Sequence, residues 1–407
     1  MEPDQSPRHR RHHWFVLIAF FFTFALCIET VGPSHTIPSV PTLQRVELTP
    51  SVVTPIIEEQ IAAPLIAPLP VHVPMPDPLR AIYLTGWSAG TPTRLTKALA
   101  LFEDSVLNAV VIDIKDATGK LSYEPLDPEL QATGVGTKRI RDLKGVIDEF
   151  HSRGIYVIGR LTVFQDPFYA KLYPEETLRD TRTGLPWADY KGIQWLRPDS
   201  EVVRAYVAAI ARDAYAQGFD EINLDYVRFP SDGPLAYLDM TGFTKSKAET
   251  MQDFFVAIDQ DLDGIPLSAD VFGLTMSAND DVGIGQKATL IAPSVDAIAP
   301  MLYPSHFWNG TYGIPVPAAE PYKVIYKSLS DGIKKLEAAG IDKSKIRPWF
   351  QDFDLVGVPY TAELVQAQLQ AAYDLGINSW MMWDPRNEYT DEVYTRETQK
   401  QSLSVEQ

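Results

Sequence analysis

Cysteine is all but missing from this chain: Cys27 is the only one in 407 residues. That excludes a disulfide scaffold and a zinc or iron–sulfur centre held by thiolates. Histidine is also scarce. Four of the seven (His9, His12, His13 and His35) fall close to the N-terminus, which leaves little for a histidine-rich metal centre in the body of the protein. Basic residues are outnumbered, with 36 Lys and Arg against 53 Asp and Glu and a net charge of −17. Nucleic acid is bound by Lys and Arg that displace its counterions, so no nucleic-acid partner is expected. The first strand pattern is not followed by Gly-x-Gly-x-x-Gly, which weakens the case for an open, doubly wound nucleotide-binding sheet. What remains is a globular composition, 45% hydrophobic and 22% charged.

Three zones follow one another. In residues 1–32, Arg8, Arg10 and Arg11 precede an apolar run from Trp14 to Ile28. Such a run is short for a spanning helix and suits a secretory h-region. The basic flank is expected to stay in the cytoplasm and send the rest of the chain outward. No small-x-small cleavage site follows, so the segment reads as a signal anchor holding the membrane through residues 14–28, or as a signal peptide that releases a secreted protein. Residues 33–78 contain 11 prolines. Proline interrupts both helix and sheet ladders, so this stretch is expected to be an extended spacer. Residues 79–390 read as the folded domain, and 391–407 as a polar tail.

The folded zone alternates short β-branched or aromatic runs with helical patterns. Eight strands are expected: Ala81–Trp87, Ala109–Asp116, Tyr156–Phe164, Glu221–Pro230, Leu267–Gly273, Ala297–Pro304, Ile346–Phe353 and Ser379–Pro385. Between them, Arg139–Arg153 and Ser200–Gln217 place apolar residues at helical spacing, with Asp199 or Ser200 able to cap the second. Gly154, Gly218, Gly264, Gly340 and Gly376 each close a helical pattern and precede an apolar residue, as a left-handed C′ glycine does. Repeated strand–helix units demand a parallel sheet, and eight of them fit a (β/α)₈ TIM barrel.

Chemistry in such a barrel sits at the C-terminal ends of the strands. Six of the last seven strand patterns carry an aspartate in or just after the strand: Asp113 and Asp116, Asp166, Asp225, Asp270, Asp352 and Asp384. One buried Asp is usually structural, but several converging on one mouth suggest a site. Paired carboxylates with aromatic faces suit glycoside hydrolysis, in which one acid protonates the leaving oxygen and the other attacks or activates water. The same acids could hold Mg²⁺ instead, or line a barrel that binds without catalysis. Trp87, Tyr303, Trp308 and Trp383 are candidate sugar platforms, and His306 a hydroxyl-binding residue. Asp113 shares strand parity with Lys115, so the two are expected to neutralise one another across the barrel lining.

At Leu224-Asp-Tyr-Val-Arg-Phe-Pro230 the sequence resembles the glycosyl hydrolase domain family catalogued as domain of unknown function 4015. Arg80-Ala-Ile-Tyr-Leu-Thr-Gly-Trp87, Val111-Ile-Asp-Ile-Lys-Asp-Ala-Thr-Gly119 and Gly218-Phe-Asp-Glu-Ile-Asn-Leu-Asp225 resemble its segments in order. So do Asp270-Val-Phe-Gly273, Gly283-Ile-Gly-Gln286, Pro300-Met-Leu-Tyr-Pro-Ser-His306 and Ile346-Arg-Pro-Trp-Phe-Gln-Asp-Phe353. The resemblance covers nearly all of residues 79–390 and implies a TIM barrel of the glycosidase type, with no substrate attached. The strand-four segment is also similar to the chitinase signature Asp-x-x-Asp-x-Asp-x-Glu, laid on Asp220, Asn223 and Asp225. Val227 stands at the final acid, so substrate-assisted chitinase chemistry is not expected. The α-amylase-like pattern, a strand-four Asp nucleophile and a strand-five acid/base, is a better analogy: Asp225 and Asp270 occupy those strands, with Asp at 270 where that group usually has Glu.

The expected function is therefore an extracytoplasmic glycoside hydrolase acting on a surface or extracellular polysaccharide, without a cofactor or metal. Asp225 is the candidate nucleophile or base, and Asp270 the acid/base. Asp113, Lys115, Arg160, Arg228, Tyr303, His306, Gln351, Asp352, Trp383 and Asp384 are the candidate substrate-binding residues. The structural alternative for Asp225 is a carboxylate bridging to Arg228, a pairing that would also keep it ionised for catalysis; the raised pKa an acid at Asp270 needs is one that Phe272 could help supply. The alternative is a non-catalytic carbohydrate-binding or envelope-scaffolding barrel. Hydrolysis needs the two carboxyls roughly 5–9.5 Å apart across an open cleft. A wider spacing, or either acid locked in a buried ion pair, would overturn that assignment.

Overall fold

A computed structural model of the chain describes residues 70–355 and 357–399. The apolar run 14–28 and the spacer up to residue 69 lie outside the described residues. Among the described residues, no helix is long and apolar enough to cross a membrane.

Eight parallel strands close a barrel in sequence order: β1 (Arg80–Leu84), β2 (Ala109–Lys115), β3 (Tyr156–Thr162), β4 (Glu221–Asp225), β5 (Leu267–Phe272), β6 (Ala297–Met301), β7 (Trp349–Gln351) and β8 (Trp380–Trp383). β8 pairs back onto β1 through Arg80 and Trp380. The (β/α)₈ expectation holds, and the strands are shorter than the apolar runs implied. After β1, Thr85 turns the chain into a short helix, Gly86–Ala89. After β4, Tyr226 adopts a φ of 51°, so the run to Pro230 leaves the sheet. Apart from the exposed Trp87, these segments are largely buried, which is why they read as strand.

The connecting helices begin where side chains cap them. Asp142 Oδ1 accepts from the Gly145 amide at 2.9 Å and starts the helix Leu143–His151, later than the expected Arg139. Ser200, not Asp199, caps Glu201–Ala216 through the Val203 amide. All five junction glycines have positive φ, between 71° and 114°. Only the β5–β6 connection departs from the pattern, with a four-residue helix, Ala288–Ile291.

Alternation along the strands divides the side chains in two. Ala81, Tyr83, Ala109, Val111, Tyr156, Ile158, Ala299, Tyr303, Trp349 and Met381 cluster inside the barrel. Ile82, Val110, Ile112, Val157, Leu161, Ile222 and Leu224 pack outward against the helices. One irregularity changes the reading of β2. Its register with β3 shifts between Asp113 and Lys115. A bulge of this kind reverses strand parity beyond it. Lys115 therefore leaves the barrel lining and meets Asp166 at 2.5 Å, with its ammonium 5.0 Å from the ring of Tyr206 on the helix Glu201–Ala216. The expected Asp113–Lys115 pair does not form.

Both ends of the folded zone extend beyond their expected limits. Val73 donates its amide to Asp220 Oδ1 at 2.8 Å, and the His72 ring stacks on Tyr215 at 3.9 Å, so the last residues assigned to the spacer are docked at the N-terminal end of the barrel. The expected polar tail is also engaged. Tyr394 is buried and donates to Asp352 at 2.6 Å, while Gln399 accepts from Tyr373 at 2.7 Å.

The Lys115–Asp166 pair is fully sealed from solvent on both sides. Removing one partner of such a pair leaves an uncompensated buried charge, at a cost of about 3–5 kcal/mol. Lys115→Ala is expected to lower unfolding free energy in urea by that amount. A Lys115 that served the ligand instead would leave stability nearly unchanged.

Candidate active site

Three inward-facing residues of β4 form a polar column, Glu221, Asn223 and Asp225, while Ile222 and Leu224 between them face the helices. Ser268 and Asp270 do the same on β5, and Arg160 on β3. Arg160 is the centre of the mouth. Its Nη1 donates to Asp113 Oδ1 at 2.7 Å, and its Nε and Nη2 both donate to Asp225 Oδ2, at 3.0 and 2.5 Å. Nε also lies 4.0 Å from Asp270 Oδ2. The two distances from Nε, 3.0 and 4.0 Å, place the facing oxygens of Asp225 and Asp270 no more than 7.0 Å apart.

One guanidinium thus serves three carboxyl groups, all buried. Coulomb repulsion and desolvation both oppose three negative charges at this spot. The cluster responds unevenly. Asp225 holds two guanidinium donors on Oδ2 and the Tyr226 amide on Oδ1 at 2.6 Å. Asp270 receives only neutral donors on Oδ1, Asn223 Nδ2 at 3.0 Å and Trp349 Nε1 at 2.7 Å. Burial, then the nearby charge of Asp225, pushes the Asp270 carboxyl up to about 8. Burial also raises Asp113, against the pull of Arg160. Arg160 loses solvation on burial, but Asp225 and Asp113 more than offset that and hold its proton firmly.

Aromatic rings form the wall. Tyr83 donates to Asp113 Oδ2 at 2.6 Å and stacks on Trp383 at 4.1 Å. The Arg160 guanidinium carbon lies 5.2 Å from the centre of the Trp383 ring, and Trp349 meets Trp383 edge-on at 5.9 Å. The Tyr303 phenol is raised by burial, and then by the charges of Asp270 and Asp225 across the mouth. His306 packs edge-on to Tyr303 at 5.1 Å, and burial lowers its pKa to about 4.

The structure brings together Asp113, Arg160, Asp225, Asp270, Tyr303 and Trp383 among the expected site residues. Others lie apart. Lys115 faces the helix layer. Gln351 is spent on Ser305 and the Phe353 carbonyl. Asp352 accepts from the Thr390 amide and hydroxyl and from Tyr394, and so pins the C-terminal segment. Asp384 Oδ1 closes a turn on the amides of Arg386 and Glu388, and burial lifts its pKa to about 6. Arg228 is not the partner of Asp225. It packs between Trp195, Tyr226 and Phe272, at 4.9, 5.2 and 4.7 Å from the ring centres. Phe272 thus packs on Arg228, and burial is the largest cause raising Asp270. Trp87 and Trp308 stand exposed on loops after β1 and β6. Tyr83, Asn223 and Trp349 were not among the expected site residues. Strand parity would have found each, because all lie two or four residues from another inward-facing position.

Of the two conditions set for hydrolysis, the spacing bound is compatible and the other is not met: Asp225 is held in a buried ion pair. Among the described residues, no group of three or more His, Asp or Glu is arranged to hold a metal ion. Three acids do converge, but the positive charge at their focus is Arg160.

Comparisons with known proteins bear on this barrel directly. A family model described as "Putative glycosyl hydrolase domain" matches residues 81–389. No curated protein is similar in sequence. Among solved structures, the chain is similar to a hypothetical protein from Ruminiclostridium thermocellum, at 35% identity over 47% of this chain and 97% of that one, with a TM-score of 0.44. It is also similar to the glycoside hydrolase domain of PgaB (BpsB) from Bordetella bronchiseptica, at 14% identity over 78% and 99%, TM-score 0.58. The α-galactosidase TtGalA from Thermus thermophilus matches at 13% identity over 83% of this chain and 62% of that one, TM-score 0.50. At such identities the last two share a fold with this chain and nothing finer. The match over residues 81–389 spans the whole barrel and every residue of the mouth, and by it the chain belongs to the family described as "Putative glycosyl hydrolase domain".

Proposed function

We propose that this protein hydrolyses glycosidic bonds in a polysaccharide, with Asp270 as general acid and Asp225 as nucleophile or general base. The observation that carries this reading is the unequal treatment of two neighbouring carboxyls at one barrel mouth. Asp225 is matched to a guanidinium, whereas Asp270 is buried against neutral donors and pushed up to about 8. A carboxyl raised in this way, beside one already matched to a guanidinium, can serve as the proton donor at neutral pH. Among the described residues, the one donor to Oδ1 of Asp225 is the Tyr226 amide, which leaves a lone pair for a water or an anomeric carbon. The wall of Trp383, Tyr83 and Tyr303 suits the apolar face of a sugar ring.

The non-catalytic carbohydrate-binding reading has one observation in its favour, the Arg160–Asp225 ion pair. It predicts binding without turnover. Placement outside the cytoplasm is part of the proposal and rests on sequence alone: Arg8, Arg10 and Arg11 before the apolar run 14–28, and a folded zone without cysteine.

Incubating the purified chain with cell-envelope polysaccharides and measuring reducing ends separates the readings. Release is expected from the wild type and none above background from Asp225→Asn. Asp270→Asn is expected to lower the rate by about 10²–10⁴-fold, the usual contribution of a positioned proton donor. Polysaccharide binding retained by both variants, with no release by the wild type, would establish the binding reading. The pH profile gives an independent check. A general acid works only while protonated, so the rate should fall as pH rises through about 8. A rate that stays level well above pH 8 would remove Asp270 from the donor role.

A further inference from the structure

Behind Asp270, a line of polar side chains runs through the barrel interior toward its N-terminal end. Arg347, just before β7, donates from Nη1 to Glu221 Oε1 at 2.7 Å. Ser268 Oγ donates to the same oxygen at 2.5 Å. Asn223 Nδ2 donates to Ser268 Oγ at 3.1 Å and to Asp270 Oδ1 at 3.0 Å. All five residues are buried.

The line has a direction. A serine hydroxyl carries one proton, and here Glu221, already held by Arg347, claims it. Ser268 can then only accept from Asn223. That requirement points the amide nitrogen, not the carbonyl, at both Ser268 and Asp270. The cost is visible: among the described residues, buried Asn223 Oδ1 has no hydrogen-bond partner. Trp349 Nε1 adds a second donor to Asp270 Oδ1 at 2.7 Å. With both donors on Oδ1, the oxygen left to bear a proton is Oδ2, which faces Arg160.

We infer that Arg347, Glu221, Ser268 and Asn223 form a fixed hydrogen-bond chain that holds an N–H on Asp270 Oδ1 and confines the Asp270 proton to Oδ2, the oxygen that faces Arg160. These are positioning residues, and the inference rests on Asp270 being the proton donor. The charged and titratable groups facing Asp270 are Asp225 on the adjacent β4, Arg160 on β3 one strand further, and Tyr303 just after β6, with Asp113 behind Arg160. None of them is altered by a change at Ser268.

The test needs no substrate. The full chain, with ¹³Cγ-labelled aspartate, is titrated by NMR, and the Asp270 signal is identified by its loss in Asp270→Asn. In Ser268→Ala the Asn223 amide is free to turn and accept from a protonated Asp270. That stabilises the neutral acid, and the midpoint should rise by about one pH unit. Ser268→Thr, which keeps the hydroxyl, should restore it. An Ala midpoint equal to that of the wild type would overturn the chain. In the wild type, the Asn223 side-chain ¹⁵N signal should shift with the same midpoint as Asp270, and an Asn223 signal that ignores that titration would also overturn it, even if Ser268→Ala does not fold. Failure to release sugar, with both titrations as expected, would count against the proposed hydrolysis and leave the chain standing.

Discussion

The mouth of this barrel depends on one guanidinium shared by three carboxyl groups. Arg160 reaches Asp113, Asp225 and Asp270 from neighbouring strands, and all four side chains are buried. One positive charge cannot balance three negative ones when all four groups are buried. The arrangement is consistent only if protons are held within it, and Asp270 is the carboxyl with the fewest charged donors. The division of labour in the proposed chemistry is thus a consequence of how many acids the fold points at one arginine.

That convergence follows from strand alternation and barrel closure. β3, β4 and β5 each contribute residues two apart to the same inner surface, and parallel closure brings Arg160, Asn223 and Ser268 into register across it. The deeper residues then act on the shallower ones. Glu221 and Asn223 stand below Asp225 on β4, and Ser268 stands below Asp270 on β5. A hydrogen bond at one level therefore sets the orientation available at the next. Below this column the N-terminal segment closes the barrel end, with Val73 and His151 both meeting Asp220.

Much of this was legible in the sequence, and the failures have physical causes. Eight strands, their order and the glycine junctions followed from periodicity, because each unit repeats the same burial problem. Asp113, Arg160, Asp225 and Asp270 were legible because strand parity and strand ends are local properties. Lys115 was misplaced by a single bulge, which no alternation pattern reveals. Asp352 and Asp384 sit at strand ends as expected, yet they bind backbone and side chains of the segment 386–394, a use that depends on where that segment returns. The partner of Asp225 was assigned to Arg228 on sequence proximity. The actual partner, Arg160, is 65 positions away and adjacent only through the β3–β4 pairing.

The most direct test of the account is to locate the protons in the mouth. Neutron diffraction from deuterium-exchanged crystals at neutral pH would show them. The account predicts a deuteron on Oδ2 of Asp270, none on Asp225, and a fully deuterated Arg160 guanidinium between them. An Asp270 without a deuteron, or a deuteron on Asp225, would contradict it.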